Sequence, residues 1–321
     1  MSADFTPPPL SSLTPPLQSE TEDRSTLDVP SLHPTPLLIF EMIIINLLWA
    51  GASVAAKAAL TSFSAFSLAF WRFFPAGLIL MLYAGVSQKG LPKVERRDIL
   101  GFLSVGFFGI FLTYSLYYTG LKTTKASDAS LLNACEPLLI SLFAVLFLKE
   151  RMTRGQWIGM IVGIIGVGLI AGQATGSLIA LVGLAIECGG SIVGKHLVGR
   201  YPWAFTLGME LLIGSAFLAP FALWETLHHP VLPTLGAMGG LLYLSFACTV
   251  FCFGVWYRNL TKFPVSLLAV FILLQPMFGP FAGVYFNHDT LSPRSLWGGL
   301  LIAFGIAVSL FAPTFAKRKG G

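Results

Sequence analysis

From residue 37 onwards the chain alternates long apolar runs with short polar breaks. The runs lie near 37–60, 65–87, 99–120, 127–148, 154–172, 176–198, 203–224, 236–258, 264–286 and 294–313. At about 1.5 Å per residue, each run reaches across a hydrocarbon core of about 30 Å. Runs of this length predict helices rather than the shorter alternating strands of a barrel. The expectation is an all-α polytopic membrane protein with ten transmembrane helices, sequential ones antiparallel because the breaks are short. One stretch stands out: the run 127–148 carries Glu136 at its middle, followed by Pro137. A carboxylate at that depth costs at least ~2 kcal/mol on insertion scales, so it needs a partner, a proton or a purpose. Pro137 lacks an N–H and crowds the carbonyl of Asn133, which predicts a bend beside the acid.

Residues 1–36 do not follow the pattern. They hold eight of the 20 prolines with many Ser and Thr, and little to bury. The expectation there is a disordered tail. No basic region leads into a short apolar core, so it is not read as a secretory signal, and its five acids argue against a transit peptide.

Composition agrees with the pattern: 55% of residues are hydrophobic, 11% are charged and the mean hydropathy is +0.76. Soluble chains carry roughly one quarter charged residues. The net charge of +5 resides in short loops and not in a nucleic-acid-binding patch. Lys89, Lys93, Arg96, Arg97, Lys149, Arg151, Arg154, Arg200, Arg258 and Lys262 share one side, with Lys317, Arg318 and Lys319 of the C-terminal tail. Only Lys122, Lys125 and Arg294 lie on the other. The excess of positive charge inside predicts a multi-pass protein of the cell membrane with both termini in the cytoplasm. Cys135, Cys188, Cys248 and Cys252 all fall within apolar runs, without metal-ligand company, and are read as core residues.

The two halves of the membrane region repeat. Tyr118, Leu121, Ser127, Pro137, Phe147, Gly159 and Gly166 recur as Tyr257, Leu260, Ser266, Pro276, Phe286, Gly298 and Gly305, an offset of 139. Glu136 thereby matches Gln275, and Glu150 matches Asp289. Gly51, Ser53 and Lys57 recur as Gly189, Ser191 and Lys195 at an offset of 138. Five spans per half is an odd number, so the halves insert in opposite senses. Such inverted repeats mark alternating-access transporters, whose sites lie near the midplane.

Depth then selects candidate residues. Trp49, Glu136, Glu187 and Gln275 fall within about 3 Å of their span centres. Arg72 and Glu210 are repeat partners slightly off centre. Trp49, Ser53 and Lys57 share one helix face, as do Glu187, Ser191 and Lys195. The two lysines are read slightly more readily as snorkelling than as lining a cavity. Asn133, Tyr114 and Tyr117 complete the candidate substrate site, while Trp224, Tyr243, Trp256 and Tyr257 are read as interfacial aromatics. Three roles are open to Glu136: binding and releasing a proton, pairing with a substrate amine, or a structural pairing with Arg72 or Lys57. Glu187 is the second proton candidate. Gly159 to Gly163 and Gly298-Gly299 permit close helix approach, within the bundle or in a homodimer.

The run TYSLYYTGLKTTKASDASLLNACEPLLISLFAVLFLKERMTRGQWIGMIVGIIGVGLI resembles the signature half of the EamA-type family in the drug/metabolite transporter superfamily. The likeness rests on Glu136-Pro137, the acid Glu150 after that span and the Gly-rich span that follows, with Trp71-Arg72-Phe73 similar to the family's Arg-Phe pattern. It implies ten helices in two inverted five-helix repeats, here 37–172 and 176–313, between the N-terminal tail and a basic tail at 314–321. It also implies export of small metabolites from the cytoplasm. The second half departs from the pattern, with Gln275 for the acid and an added Pro280, so a symmetric pair of acidic sites is not implied.

Two acids, an Arg, amides, hydroxyls and aromatic rings suit amino acids or related amphipathic compounds, with protons as a candidate coupling ion and no cofactor or metal. An organic-phosphate exchanger is the alternative, although it calls for a cationic cluster undiluted by Glu136 and Glu187. An intramembrane hydrolase built on Ser53 and Lys57 is the reading from another class. The sequence has no HExxH or GxSxG motif, and the same Ser–Lys spacing occurs in both halves. A channel would call for a filter loop or charged ring, and neither is seen.

Overall fold

Helix boundaries follow local chemistry. In the computed structural model, Ser64 accepts a hydrogen bond from the Ser67 N–H and opens α2 (Ala65–Ser87). Thr153 and Gln156 form a capping box, one turn satisfying two otherwise unpaired N–H groups. Thr234 caps the helix that begins at Leu235. The structure describes residues 35–148, 152–172, 174–194, 197, 200–228, 230, 232–263, 268, 271–272 and 274–311. The tail 1–34, Glu150, Lys195, the start of the 264–286 run and the basic C-terminal tail lie outside the described residues, as does the Ser191 side chain.

The remaining elements are α1 (Pro36–Ala59, interrupted at Gly51), α3 (Arg96–Thr123), α4 (Ala126–Asn133), α5 (Glu136–Leu148), α6 (Arg154–Ala171), α7 (Thr175–Gly194), α8 (Trp203–His228), α9 (Leu235–Leu260), α10 (Leu274–Asn287) and α11 (Pro293–Phe311). No β-strand occurs among the described residues. Six helices, α1, α2, α3, α6, α8 and α9, are long and apolar enough to cross a bilayer by themselves. Helix is present in each of the ten apolar runs, but the run 127–148 is divided into α4 and α5.

Packing between the halves is reciprocal. Extensive contacts join α6 to α11, α2 to α8, α3 to α7, α4 to α10 and α1 to α9. Exchanging the two halves maps this set of pairs onto itself. The α6–α11 seam shows it at atomic detail: a Cβ added to Gly159 would strike the backbone of Gly305, and one added to Gly166 would strike the backbone of Gly298. These two contacts are repeat images of one another. The glycine-rich seam is therefore used inside the bundle. The π-helical stretches also recur, at Val105–Leu112 in α3 and Tyr243–Phe253 in α9. Thr113 and Thr249 each donate a hydroxyl to the carbonyl five residues earlier, Phe108 and Leu244, both at 2.8 Å. Such wide turns are rare and concentrate at functional sites.

The halves are also tied together at the α2–α3 and α7–α8 connections. Arg200 Nη1 lies 2.7 Å from Asp98 Oδ1 and Nη2 lies 3.3 Å from Glu95 Oε2. The Tyr201 hydroxyl donates to Asp98 Oδ2 at 2.7 Å and accepts the Glu95 N–H at 3.1 Å. That N–H pulls the Tyr201 pKa down, but the hydrogen bond to Asp98, desolvation and the two acidic charges outweigh it, and the net direction is upward. At the repeat-related connections the contact is lighter: the Thr234 N–H donates to Ser62, and Ser64 donates to Glu225.

Candidate functional site

Pro137 breaks the run as its chemistry dictates. Helix α4 ends at Asn133, and Ala134 and Cys135 donate their N–H groups only three residues back, to Leu131 at 3.2 Å and Leu132 at 2.9 Å. The chain then restarts as α5 at Glu136, where Pro137 sits in the first turn and its missing N–H leaves no gap. The break puts Glu136 at a helix N-terminus, a position that favours negative charge. Glu136 and Glu187 are both partly buried in the bundle. The two carboxyl groups are electrostatic neighbours.

Helix α3 supplies the aromatic wall. Tyr114 donates to Glu187 Oε1 at 3.4 Å, a long hydrogen bond. The Tyr117 hydroxyl accepts the Asn133 Nδ2 group at 3.1 Å and pairs with the Ser53 hydroxyl at 3.2 Å. In this arrangement the Asn133 Oδ1 points away from Tyr117. That oxygen is buried and has no hydrogen-bond partner among the described residues. The Glu136 carboxylate likewise makes no hydrogen bond or ion pair with a described residue. The structure thus gathers Ser53, Tyr114, Tyr117, Asn133, Glu136 and Glu187 into one cluster.

The other expected residues are placed differently. Arg72 is 4% exposed. Its Nε donates to Thr249 at 2.9 Å and its Nη1 to Tyr118 at 2.6 Å, while its guanidinium stacks on Phe73 and Tyr114. Its repeat image has opposite charge: Glu210 accepts from Tyr257 at 2.6 Å. Both pairs couple the same two positions of the repeat, Arg72 with Tyr118 and Glu210 with Tyr257. Trp49 turns towards α9, donating to the Cys248 carbonyl at 3.1 Å and meeting Phe253 and Trp256 edge to face. Gln275 is buried and donates to Asn46 Oδ1 at 2.9 Å, and Asn46 in turn donates to the Met42 carbonyl.

Several readings need correction. Lys57 has a defined set of partners: its ammonium donates to the carbonyls of Leu121, Lys122 and Thr124 at the end of α3, at 2.8, 3.2 and 2.6 Å. Ser53 is held by Tyr117, so the two groups of the supposed Ser–Lys pair face different partners. Tyr243, Trp256 and Tyr257 are not interfacial; they reach Leu48, Trp49 and Glu210 inside the bundle. Asn46, Tyr118 and Thr249 were missed. For Asn46, the trace in the sequence was a lone amide within an apolar run.

The model of the EamA-like transporter family matches residues 37–172 and 174–311. The chain belongs to this family. A protein of Archaeoglobus fulgidus named "Uncharacterized transporter" is 27% identical over 270 residues, covering 81% of this chain and 92% of the relative. A Bacillus subtilis protein named "Uncharacterized transporter YvbV" is 25% identical over 291 residues, covering 87% and 92%. Protein PecM of Dickeya dadantii is 26% identical over 259 residues, covering 77% and 84%. A solved crystal structure superposes with a TM-score of 0.61 at 22% identity, over 84% of this chain and 95% of the other, which shows a shared fold. With its apolar helices, the chain is a multi-pass membrane transporter, acting in a lipid bilayer on a small molecule.

Proposed function

We propose that the protein exports amino acids or related amphipathic metabolites by alternating access between two inverted five-helix halves. In this reading all ten apolar runs span the bilayer, α4 with α5 counting as one, and both termini face the cytoplasm, as the loop charges favour. The first half covers 37–172 and the second 176–313, with tails at 1–36 and 314–321. The reciprocal helix pairing supports a working unit complete within one chain. The observation that carries the proposal is the uncommitted Glu136 carboxylate at a helix break of the first half, beside Glu187 of the second.

Glu136 binds the substrate or a proton in alternation, and Glu187 is the second proton acceptor. Trp49, Ser53, Arg72, Tyr114, Tyr117, Asn133, Ser191 and Gln275 form or support the substrate site. The test is reconstitution into liposomes with candidate amino acids and an imposed pH gradient. Saturable, gradient-dependent flux that E136Q uncouples from pH supports the proposal. Flux unchanged by E136Q contradicts the role given to Glu136.

A further inference from the structure

A groove of about 350 Å³ lies between α2 of the first half and α9 of the second, and no charged residue lines it. Phe63, Trp71 and Pro75 form one wall, and Leu241, Leu242 and Phe246 the other. Both helices start from the same end of the bundle, where the Thr234 N–H donates to the Ser62 hydroxyl. From Pro233 at that end the groove reaches Pro75 and Phe246, about ten residues along each helix, or ~15 Å at 1.5 Å per residue. That is about half of a hydrocarbon core of about 30 Å, the depth of one leaflet.

The gap has a cause in the sequence. At the repeat-related seam, α3 with α8, the helices close on each other. A Cβ added to Gly106 would strike the side chain of Ile213, and one added to Gly214 would strike that of Ile110. At the offset of 138 that pairs Arg72 with Glu210, α2 carries Pro75 and Ala76 in place of Ile213 and Gly214. The filling side chain and the receiving glycine are both lost, and the α2–α9 seam stays open.

The opening faces lipid. Trp71, Leu242 and Phe246 are 42%, 48% and 49% exposed, and Leu78 and Leu82 continue the apolar surface along α2. The polar side chains of the lining are the Trp71 indole and Ser245, whose oxygen is buried. Water, which needs two or more polar partners, is poorly held there. An unfilled gap forfeits dispersion contacts along its walls. The apolar groups that surround the opening in bulk are acyl tails, as apolar as leucine.

We propose that this groove seats one acyl chain of a bilayer phospholipid, held between the two halves. Its lining includes Ser245, one turn from the Thr249 that binds Arg72, so the chain lies behind a buried contact of the candidate site. The assignment does not depend on which solute is transported.

The experiment uses the full chain reconstituted in vesicles of phosphatidylcholine brominated on its acyl chains, which quench tryptophan on contact. The protein is then extracted into detergent and freed of bulk lipid. Native mass spectrometry counts the phospholipid retained, and fluorescence reads what it touches. The expected result is one phospholipid retained per chain, with residual quenching of the wild type. W71F is expected to keep the lipid and lose that quenching. W157F is expected to keep both, because Trp157 is similarly exposed, at 43%, but lies on α6 outside the groove. L242W, which fills the groove, is expected to lower lipid retention severalfold, and equal retention by the folded variant contradicts the proposal. If L242W does not fold, the comparison of W71F with W157F decides. Quenching that survives in W71F, or a wild type that retains no phospholipid, overturns the assignment. Release of the retained lipid by leucine or phenylalanine would give the groove to a transported solute and overturn it as well.

Discussion

Glu136 and Gln275 occupy the same place in the two halves, each followed by proline, yet their surroundings differ. Gln275 is buried and bound to Asn46 of α1. The residue of α7 that corresponds to Asn46 is Leu184, buried in a cluster with Cys135 and Leu138. Glu136 therefore has no built partner where Gln275 has one. Duplication gave the protein two similar scaffolds; one position has become a closed amide contact and the other has been left open as an acid. The same divergence appears one layer out, where Arg72 with Tyr118 in the first half becomes Glu210 with Tyr257 in the second. The lesson is that repeat symmetry governs the packing, while departures from it fall on the buried charged and polar positions.

That comparison can be broken in several ways. The largest effect is expected at Glu136: E136Q should lower gradient-driven flux by more than about tenfold, an effect on chemistry worth at least about 1.4 kcal/mol, with the protein still folded. Next, closing the open site should mimic the closed one. L184N supplies the amide that Glu136 lacks, and flux should fall severalfold while thermal stability changes little, since the new group gains an acceptor. Opening the closed site affects stability instead. N46L leaves the Gln275 amide buried without a partner and should cost about 1–3 kcal/mol, read by thermal unfolding, and N46L/Q275L should recover most of it. The seam offers a control for symmetry: G159A and its image G298A, each meeting backbone, should destabilise by similar amounts, about 1–3 kcal/mol.

The smallest effect is expected at the Asp98–Arg200–Tyr201 contact. The Tyr201 pKa is raised in the folded protein, so its contribution is present below the ordinary tyrosine value of 10.0 and is lost as pH rises past it. Y201F should flatten the alkaline limb of a stability-versus-pH curve. An unchanged limb would show that another group sets it.

Much of this architecture was legible in the sequence, because apolar length, proline and repeated glycine act locally. The break beside Glu136 followed from Pro137, and the Gly159 and Gly166 seam from their spacing. What the sequence left open was rotation about each helix axis. Depth placed Trp49 at the centre but could not say that its indole turns to α9, nor that Tyr257 and Trp256 point inward rather than to the membrane surface. Lys57 shows the same limit: its partners are carbonyls of α3, over 60 residues away along the chain. The amide chain from Gln275 to Asn46 joins residues 229 apart, and no spacing rule links them.

The most direct test moves the acid from one half to the other. Gradient-driven flux of a transported amino acid would be measured for the wild type, E136Q and E136Q/Q275E in matched proteoliposomes. The account predicts that the double variant stays as inactive as E136Q, because an acid at position 275 is buried against Asn46. Recovery of pH-dependent flux in E136Q/Q275E would show that the two positions are interchangeable and would contradict the account.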